Sequence, residues 1–517
     1  MTAAPQSADI AEPVPLNRHR HALQVILDNL PLYAALYTLC DLRIPDRLAR
    51  SAATVDDLAE WVASTMCAPN LGRDYLQRVL RAAHACGFLR RNLDGAYQVT
   101  DFGLTLRSGI PDTARTALMR AALRAWTVHD AAAVRPLPSR DLNNPIDMIL
   151  HRLDLYQALH LFCALRIPDR LDHAPAALDD VHAWCQRAGA DEGSGPSPTL
   201  EDLVRLLQIA DAQQWIYRTP SGTYRQTDAG HMLTQSAASG GPSMWPAVMT
   251  YALPPWRQPL ATMQETVRTG TPAALNGHRT LDDLMAGQPA SAARVIAAFH
   301  AWQSAAMAPS VADAIAAHAD TIRTVITIGG SHILLAEILH RHPHTTGVHV
   351  GRGRDADAAA DELARRADPG RWGVTRGHAQ RVKIPIGFRP LYVMPCLIHN
   401  ADDRDARDLL ARVAAAMDAS GPGSILWLVE TVMPDDVDPH PSIALDLLQM
   451  TRTRGGRART RAEYATLLRK AGLRVSGEIA AGQHTIIAAH TARDQPPTIP
   501  EQRALVGLAE NATLPAY

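Results

Sequence analysis

Residues 324–350 read TVITIGGSHILLAEILHRHPHTTGVHV, and the fold class is decided here. The run 324–330 is rich in β-branched residues and stops at Gly329-Gly330, which predicts a buried strand ending in a tight turn. A helical run follows from His332 to His340, and TTGVHV (345–350) is a second strand candidate. Outward from there the alternation continues. A helix is predicted over 355–367, a strand at GVTRG (373–377), another at PLYVMPCLIH (390–399) and a helix over 402–418. SILWLVETVMP (424–434), the helical RTRAEYATLLRKAGL (459–473) and the strand-like GEIAA and HTIIAAH complete it. Strands alternating with helices imply a mostly parallel, doubly wound α/β sheet. A glycine turn between first strand and first helix is where such sheets take nucleotide-like ligands, although a tight turn alone accounts for two glycines equally well.

The N-terminal half reads differently. LPLYAALYTLCDLRIPDRL (30–48) and LDLYQALHLFCALRIPDRL (153–171) share 13 of 19 residues at an offset of 123. GAYQVTDFG (95–103) and GTYRQTDAG (222–230) extend the match, so a unit of roughly 100 residues is duplicated. Each copy predicts amphipathic helices followed by a β-hairpin, the order of a winged helix. GRDYLQRVLRAAHAC (72–86) and TLEDLVRLLQIADAQ (199–213) stand at the recognition-helix position with few cations. That favours a packing or dimerisation module over a DNA-binding one. The divisions expected are a tail over 1–17, winged-helix-like units over 18–125 and 149–245, and a linker over 126–148. A helical connector or substrate lid over 246–319, a Rossmann-like domain over 320–493 and a tail over 494–517 follow. The two repeated units are expected to pair within one chain, with a homodimer through other surfaces left open.

Composition narrows the class. Of 517 residues 47% are hydrophobic and 20% charged, an ordinary globular balance. Lys+Arg 51 against Asp+Glu 52 lacks the basic excess of a nucleic-acid binder. No apolar run reaches the roughly 18 residues of a membrane helix. MTAAPQSADIAEPVP carries no basic stretch ahead of an apolar one. Six cysteines at 40, 67, 86, 163, 185 and 396 show no CxxC spacing. The expectation is a cytoplasmic chain with reduced thiols, a small-molecule ligand, and no nucleic-acid, membrane or metal partner.

From about 150 to 490 the chain resembles the class I O-methyltransferases with a winged-helix dimerisation domain, a family of plant phenolic and bacterial antibiotic pathways. The resemblance rests on the second repeat, VRTGTPAALNG (267–277), DDLMAGQPASAARVIAAF (282–299), ITIGGSHILLAEILHRHPHTTG (326–347), LYVMPCLIHNADDRDARDLL (391–410), SILWLVETVMP (424–434) and GGRARTRAEYATLLRKAGL (455–473). The first repeat is an extra copy. The resemblance implies that His399 is a general base, that Glu430 orients it, and that Phe299, Trp302, Met307, Met394, Asp446 and Met450 line the substrate pocket. A leftover His at a strand end is the alternative for His399, and plain core packing the alternative for the lining residues.

The cofactor positions depart from the family pattern. Thr327 stands for an Asp, the Gly329-Gly330 turn continues into His332 and Ile333, and Gly351 stands where an acid grips the ribose of S-adenosylmethionine. His378 and Pro395 replace a Gly-Asp residue and a Lys, and Ala458 replaces a second acid. Two or three lost charged hydrogen bonds cost about 3–9 kcal/mol. The expectation drawn is an enzyme of natural-product metabolism without a cofactor, performing acid–base or shape-assisted cyclisation, rearrangement, elimination or hydrolysis. The alternatives are an S-adenosylmethionine-dependent O-methyltransferase and an inactive partner of an active enzyme.

Overall fold

Both repeats begin with a long helix that turns through a left-handed residue into a Pro-led short helix. Arg43 and Arg166 both have φ 54°, and Pro45 and Pro168 follow in the first turn, where a missing N–H costs nothing. The computed structural model describes residues 16–109, 113–125, 137–138, 140–192, 198–235, 243–275, 281–318, 321–330, 332–435 and 440–493. The tails expected over 1–17 (up to residue 15) and 494–517, and linker residues 126–136, lie outside these.

The chain divides into two units. The first comprises Met1–Ala306, His399–Asp402 and Thr431–Arg461; the second holds Met307–Ile398, Asp403–Glu430 and Ala462–Tyr517. Within the first unit the first copy runs through helices Leu16–Asp41, Ile44–Leu48, Val55–Thr65 and Arg73–Ala85. It then enters a hairpin of β1 (Leu89–Arg91) and β2 (Tyr97–Val99). The second copy repeats this with Pro145–Ala164, Ile167–His173, Leu178–Glu192 and Leu200–Ala212, then β3 (Ile216–Arg218) and β4 (Tyr224–Gln226). Each hairpin closes the same way. Thr100 and Thr227 cap the next short helix by accepting from the amides of Gly103 and Gly230. Neither glycine admits a side chain, since a Cβ would sit 2.1 Å from the carbonyl of Phe88 or Trp215.

The two long helices pack on each other in one apolar core, and Asn29 Nδ2 donates to the Ile149 carbonyl at 2.9 Å. At the offset of 123, Asn29 corresponds to Arg152 and Ile149 to Ile26, so matching turns of the two copies meet. Part of the first helix, Arg18–Asp41, is long and apolar enough to span a membrane, against the expectation that no such run exists. Since 72% of that window is buried, its apolarity is that of a core helix.

The second unit is built on a seven-stranded sheet. Its strands are β5 (Thr324–Ile328), β6 (Thr346–Gly351), β7 (Trp372–Arg376), β8 (Pro390–Pro395), β9 (Ile425–Glu430), β10 (Leu473–Ala481) and β11 (His484–Thr491). The order is β10-β11-β9-β8-β5-β6-β7. Strands β5 to β9 pair in parallel, and β11 runs antiparallel to both β9 and β10. Every residue of β8 is buried, as expected for a central strand covered on both faces. Val325, Leu334, Val393, Trp427 and Ile486 belong to its core. The α/β class read from 324–350 and its outward alternation is the fold observed.

Candidate active site

The carboxyl ends of the parallel strands gather the residues singled out in the second unit. Thr327 and His349 are register partners on β5 and β6, and their Oγ1 and Nδ1 are hydrogen-bonded at 2.9 Å with both side chains buried. Beyond them Gly329 and Gly330 both adopt left-handed backbone, φ 68° and 66°. The Gly329 amide donates to the Val350 carbonyl. A Cβ at Gly330 would lie 2.5 Å from Pro395 Cγ, and one at Gly329 would press on Leu397. The turn therefore needs glycine because β8 runs close beneath it. Gly351 ends β6 and receives the Gly377 amide, and His378 Nδ1 accepts from the Gln380 amide.

Glu430 closes β9 with a buried carboxylate. Its Oε1 accepts from the amides of Leu397 (3.1 Å) and Ile398 (2.8 Å). The turn they hold begins at Cys396, whose φ is 49° and whose thiol is pushed well above its ordinary range by burial and by Glu430. Two charge-assisted bonds from one carboxylate fix this turn, which leads directly into His399. Met394 and Met307 are buried in the second unit, Met394 in register with Leu428.

In the first unit His399 lies in the 3-10 turn Ile398–Asn400 and is 8% exposed. Gly456 packs against it, for a Cβ there would approach the His399 carbonyl to 2.8 Å. Asp446 and Met450 share the buried helix Pro441–Arg452. The Asp446 carboxylate accepts from the Ala458 amide at 3.0 Å and lies 3.6 Å from Arg78 Nη1. Burial pushes its pKa up, and Arg78 pulls it partly back. Phe299 stacks on Trp302 with centroids 5.7 Å apart, and Trp256 meets Phe299 edge-on. The Arg452 guanidinium lies 4.1 Å from the centre of the Trp256 ring. Trp256, Arg452 and Arg78 were not singled out from sequence. Arg78 meets the Gly456 carbonyl 378 positions away and Arg452 meets a Trp256 ring distant in sequence, so only the buried cation on an apolar helix gave a local sign of them.

Among the described residues no group of three or more His, Cys, Asp or Glu could hold a metal. The glycine turn after β5 precedes the nine-residue helix Ile333–Arg341, the place at which such a sheet takes a nucleotide-like ligand. The side-chain donors are fewer, because Thr327 shares its hydroxyl with His349 and Gly351 has no side chain.

Comparison with known proteins identifies the setting. Residues 274–474 match the O-methyltransferase domain family. O-demethylpuromycin-O-methyltransferase of Streptomyces alboniger is 28% identical over 319 residues, 60% of this chain and 80% of that one. The crystal structure of LaPhzM has a TM-score of 0.54 at 25% identity, covering 65% of this chain and 95% of its own. The O-methyltransferase NcsB1 of neocarzinostatin biosynthesis, solved with S-adenosylmethionine and 2-hydroxy-5-methyl naphthoic acid, shares the fold (TM-score 0.50, 21% identity, 65% of this chain and 96% of that one). These findings overturn the expectation of a chain without a cofactor. That expectation counted only the missing carboxylates, whereas the glycine turn at Gly329-Gly330 is kept. Residues 274–474 are the part of the chain that matches the O-methyltransferase domain family.

Proposed function

We propose that this protein is an S-adenosylmethionine-dependent O-methyltransferase acting on a small hydroxylated natural product. The match of residues 274–474 to the O-methyltransferase domain carries the reading. The curated relatives add the substrate class, since they are named for acceptors such as O-demethylpuromycin and phenazines. When bound, S-adenosylmethionine supplies an electrophilic methyl group.

The chain's own residues have separate tasks. The turn at Gly329-Gly330 would hold the cofactor, and the Thr327–His349 pair fixes the strand ends beneath it. His399 takes the proton from the acceptor hydroxyl, a role suited to an imidazole near neutral pH. Glu430 acts as a positioning residue through the Leu397 and Ile398 amides. Within the first unit Phe299 and Trp302 supply apolar surface for the acceptor, and Asp446 braces the segment around Ala458. The two N-terminal copies serve as winged-helix-like units that pair within one chain, giving each other the partner a dimerisation module requires.

The test is transfer of a labelled methyl group from S-adenosylmethionine to a panel of phenolic and hydroxynaphthoic acceptors. Label in an acceptor, lost in His399→Ala, supports the proposal. Absence of transfer across a broad panel by a protein that binds the cofactor refutes the acceptor class.

A further inference from the structure

The duplication carries its own control for the helix Arg73–Ala85. In the second copy it aligns with Leu200–Ala212, Asp74 against Glu201 and Arg78 against Arg205. In both copies the arginine pairs with the acid one turn before it, Arg78 with Asp74 and Arg205 with Glu201. Among the described residues Arg205 adds only Asp202, on its own helix, and its side chain stays 35% exposed. The Arg78 side chain is 4% exposed and reaches out of the repeat. Its Nη1 donates to the Gly456 carbonyl at 2.9 Å and lies 3.6 Å from the Asp446 carboxylate. Tyr75 and Arg81 point the same way, Tyr75 hydrogen-bonded to the Gly455 backbone and Arg81 donating to Met433 Sδ. Their counterparts are Asp202 and Gln208. The second copy forms the same helix and hairpin with these residues, so the fold of the repeat does not call for the contacts that Arg78 makes.

Those contacts support the segment that carries His399. A Cβ on Gly455 would come within 2.6 Å of Asp402 Cβ, and one on Gly456 within 2.8 Å of the His399 carbonyl oxygen. The loop 453–459 therefore lies directly against His399–Asp402. Its far end is tied to the same turn, since Arg459 Nη2 donates to the Ala401 carbonyl at 2.8 Å. Between these points the Ala458 amide donates to Asp446. Arg78 thus holds the loop twice, at the Gly456 carbonyl directly and at the Ala458 amide through Asp446. All of these groups belong to the first unit. A guanidinium is suited to the task, because its rigid fork meets two acceptors at fixed angles in a place that water does not reach. The precision matters to a base, for a displacement of about 1 Å can cost on the order of 10²-fold in rate.

We propose that Arg78 is a positioning residue for His399, acting through Gly456 and Asp446 to fix the loop 453–459 beneath it. The first repeat is thereby a part of the catalytic apparatus as well as of the packing. The inference deepens the proposed function, and rests on that reading only in taking His399 to be the base.

Hydrogen exchange of the full chain, without cofactor or acceptor, reads the hold by peptide mass spectrometry. In Arg78→Met the peptides over 399–402 and 453–459 should exchange faster by about tenfold or more, the worth of one hydrogen bond from a charged donor. Arg78→Met/Asp446→Leu leaves no buried charge and should regain stability, yet keep the fast exchange at 399–402. Arg78→Lys keeps a cation beside Asp446, but one ammonium does not replace the fork, so exchange at 399–402 should still rise severalfold. Arg205→Met, the matching change in the second copy, should leave both peptides at wild-type rates. Wild-type exchange at 399–402 in a folded Arg78→Met or Arg78→Lys overturns the proposal. So does a double variant that regains wild-type protection there along with its stability, or an equal change from Arg205→Met. Methyl transfer to the hydroxynaphthoic acceptors is the second readout. In the double variant kcat should fall by about tenfold or more, while KM for S-adenosylmethionine stays within about twofold. No transfer by the wild-type chain removes the proposed function and leaves the hold on His399 to be decided by exchange. Wild-type kcat in a double variant whose 399–402 exchange is fast removes the positioning role and leaves the methyltransferase.

Discussion

Replacing Arg78 by Met should be among the most destabilising single changes in the first unit. The guanidinium is buried between three acceptors. It donates to Asp74 at 2.7 Å and to the Gly456 carbonyl at 2.9 Å, and it lies 3.6 Å from the Asp446 carboxylate. Asp446 is equally buried and retains only the Ala458 amide once Arg78 is gone. Breaking a buried pair from one side costs about 3–5 kcal/mol, because the surviving carboxylate loses its paired cation without gaining water. The sign of the pH dependence follows. Burial already raises the Asp446 pKa above 3.8 and Arg78 opposes this, so the variant's folded-state value rises further. The variant is then penalised least below the unfolded value and increasingly as pH rises toward its folded value. Denaturant unfolding of wild type and variant at pH 5 and pH 8 reads this directly, with the larger loss at pH 8. The double variant Arg78→Met/Asp446→Leu should recover most of the loss, since no buried charge remains. A loss below about 1 kcal/mol, or a double variant no better than the single, would refute the reasoning.

Three other outcomes follow from the same geometry. Gly330→Ala places a Cβ against Pro395 in left-handed backbone, so stability should drop by about 2 kcal/mol or more in thermal unfolding, and a neutral result would disprove the close approach. Burial raises the Asp28 carboxyl from 3.8 to about 7, with Gln24 opposing, so its contribution to stability is lost as pH rises from 4 through 7. Asp28→Asn should flatten that slope and raise stability at pH 8 by about 1–3 kcal/mol; an unchanged pH profile would place the carboxylate in water. His399→Ala should retain its circular dichroism and lose turnover by about 10²–10⁴-fold, and normal turnover would move the base elsewhere.

The elements of the fold were legible because their signals are local. A β-branched run ending in two glycines announced β5, and 13 shared residues announced the duplication. The site was less so. Whether Thr327 meets His349 depends on strand register, and a slip of one residue would turn either side chain to the other face. Arg78 and the Gly456 carbonyl it holds are 378 positions apart. Asp446 read as a wall of the substrate pocket, while its carboxylate is held by Ala458 and Arg78. The expectation about the cofactor failed for a related reason. It counted the side chains lost at Thr327 and Gly351, whereas the turn at Gly329-Gly330 depends on backbone that the sequence marks only by its glycines.

Calorimetric titration of the full chain with S-adenosylhomocysteine, the demethylated cofactor, tests the methyl-transfer account most directly. The backbone turn is retained and two side-chain contacts are lost at about 1.5 kcal/mol each, the lower end for a charged hydrogen bond. From a low-micromolar starting point this predicts saturable one-to-one binding with a dissociation constant between roughly 0.1 and 1 mM. Gly330→Ala should abolish it. Heats indistinguishable from dilution up to several millimolar, in a protein that unfolds cooperatively, would contradict the account.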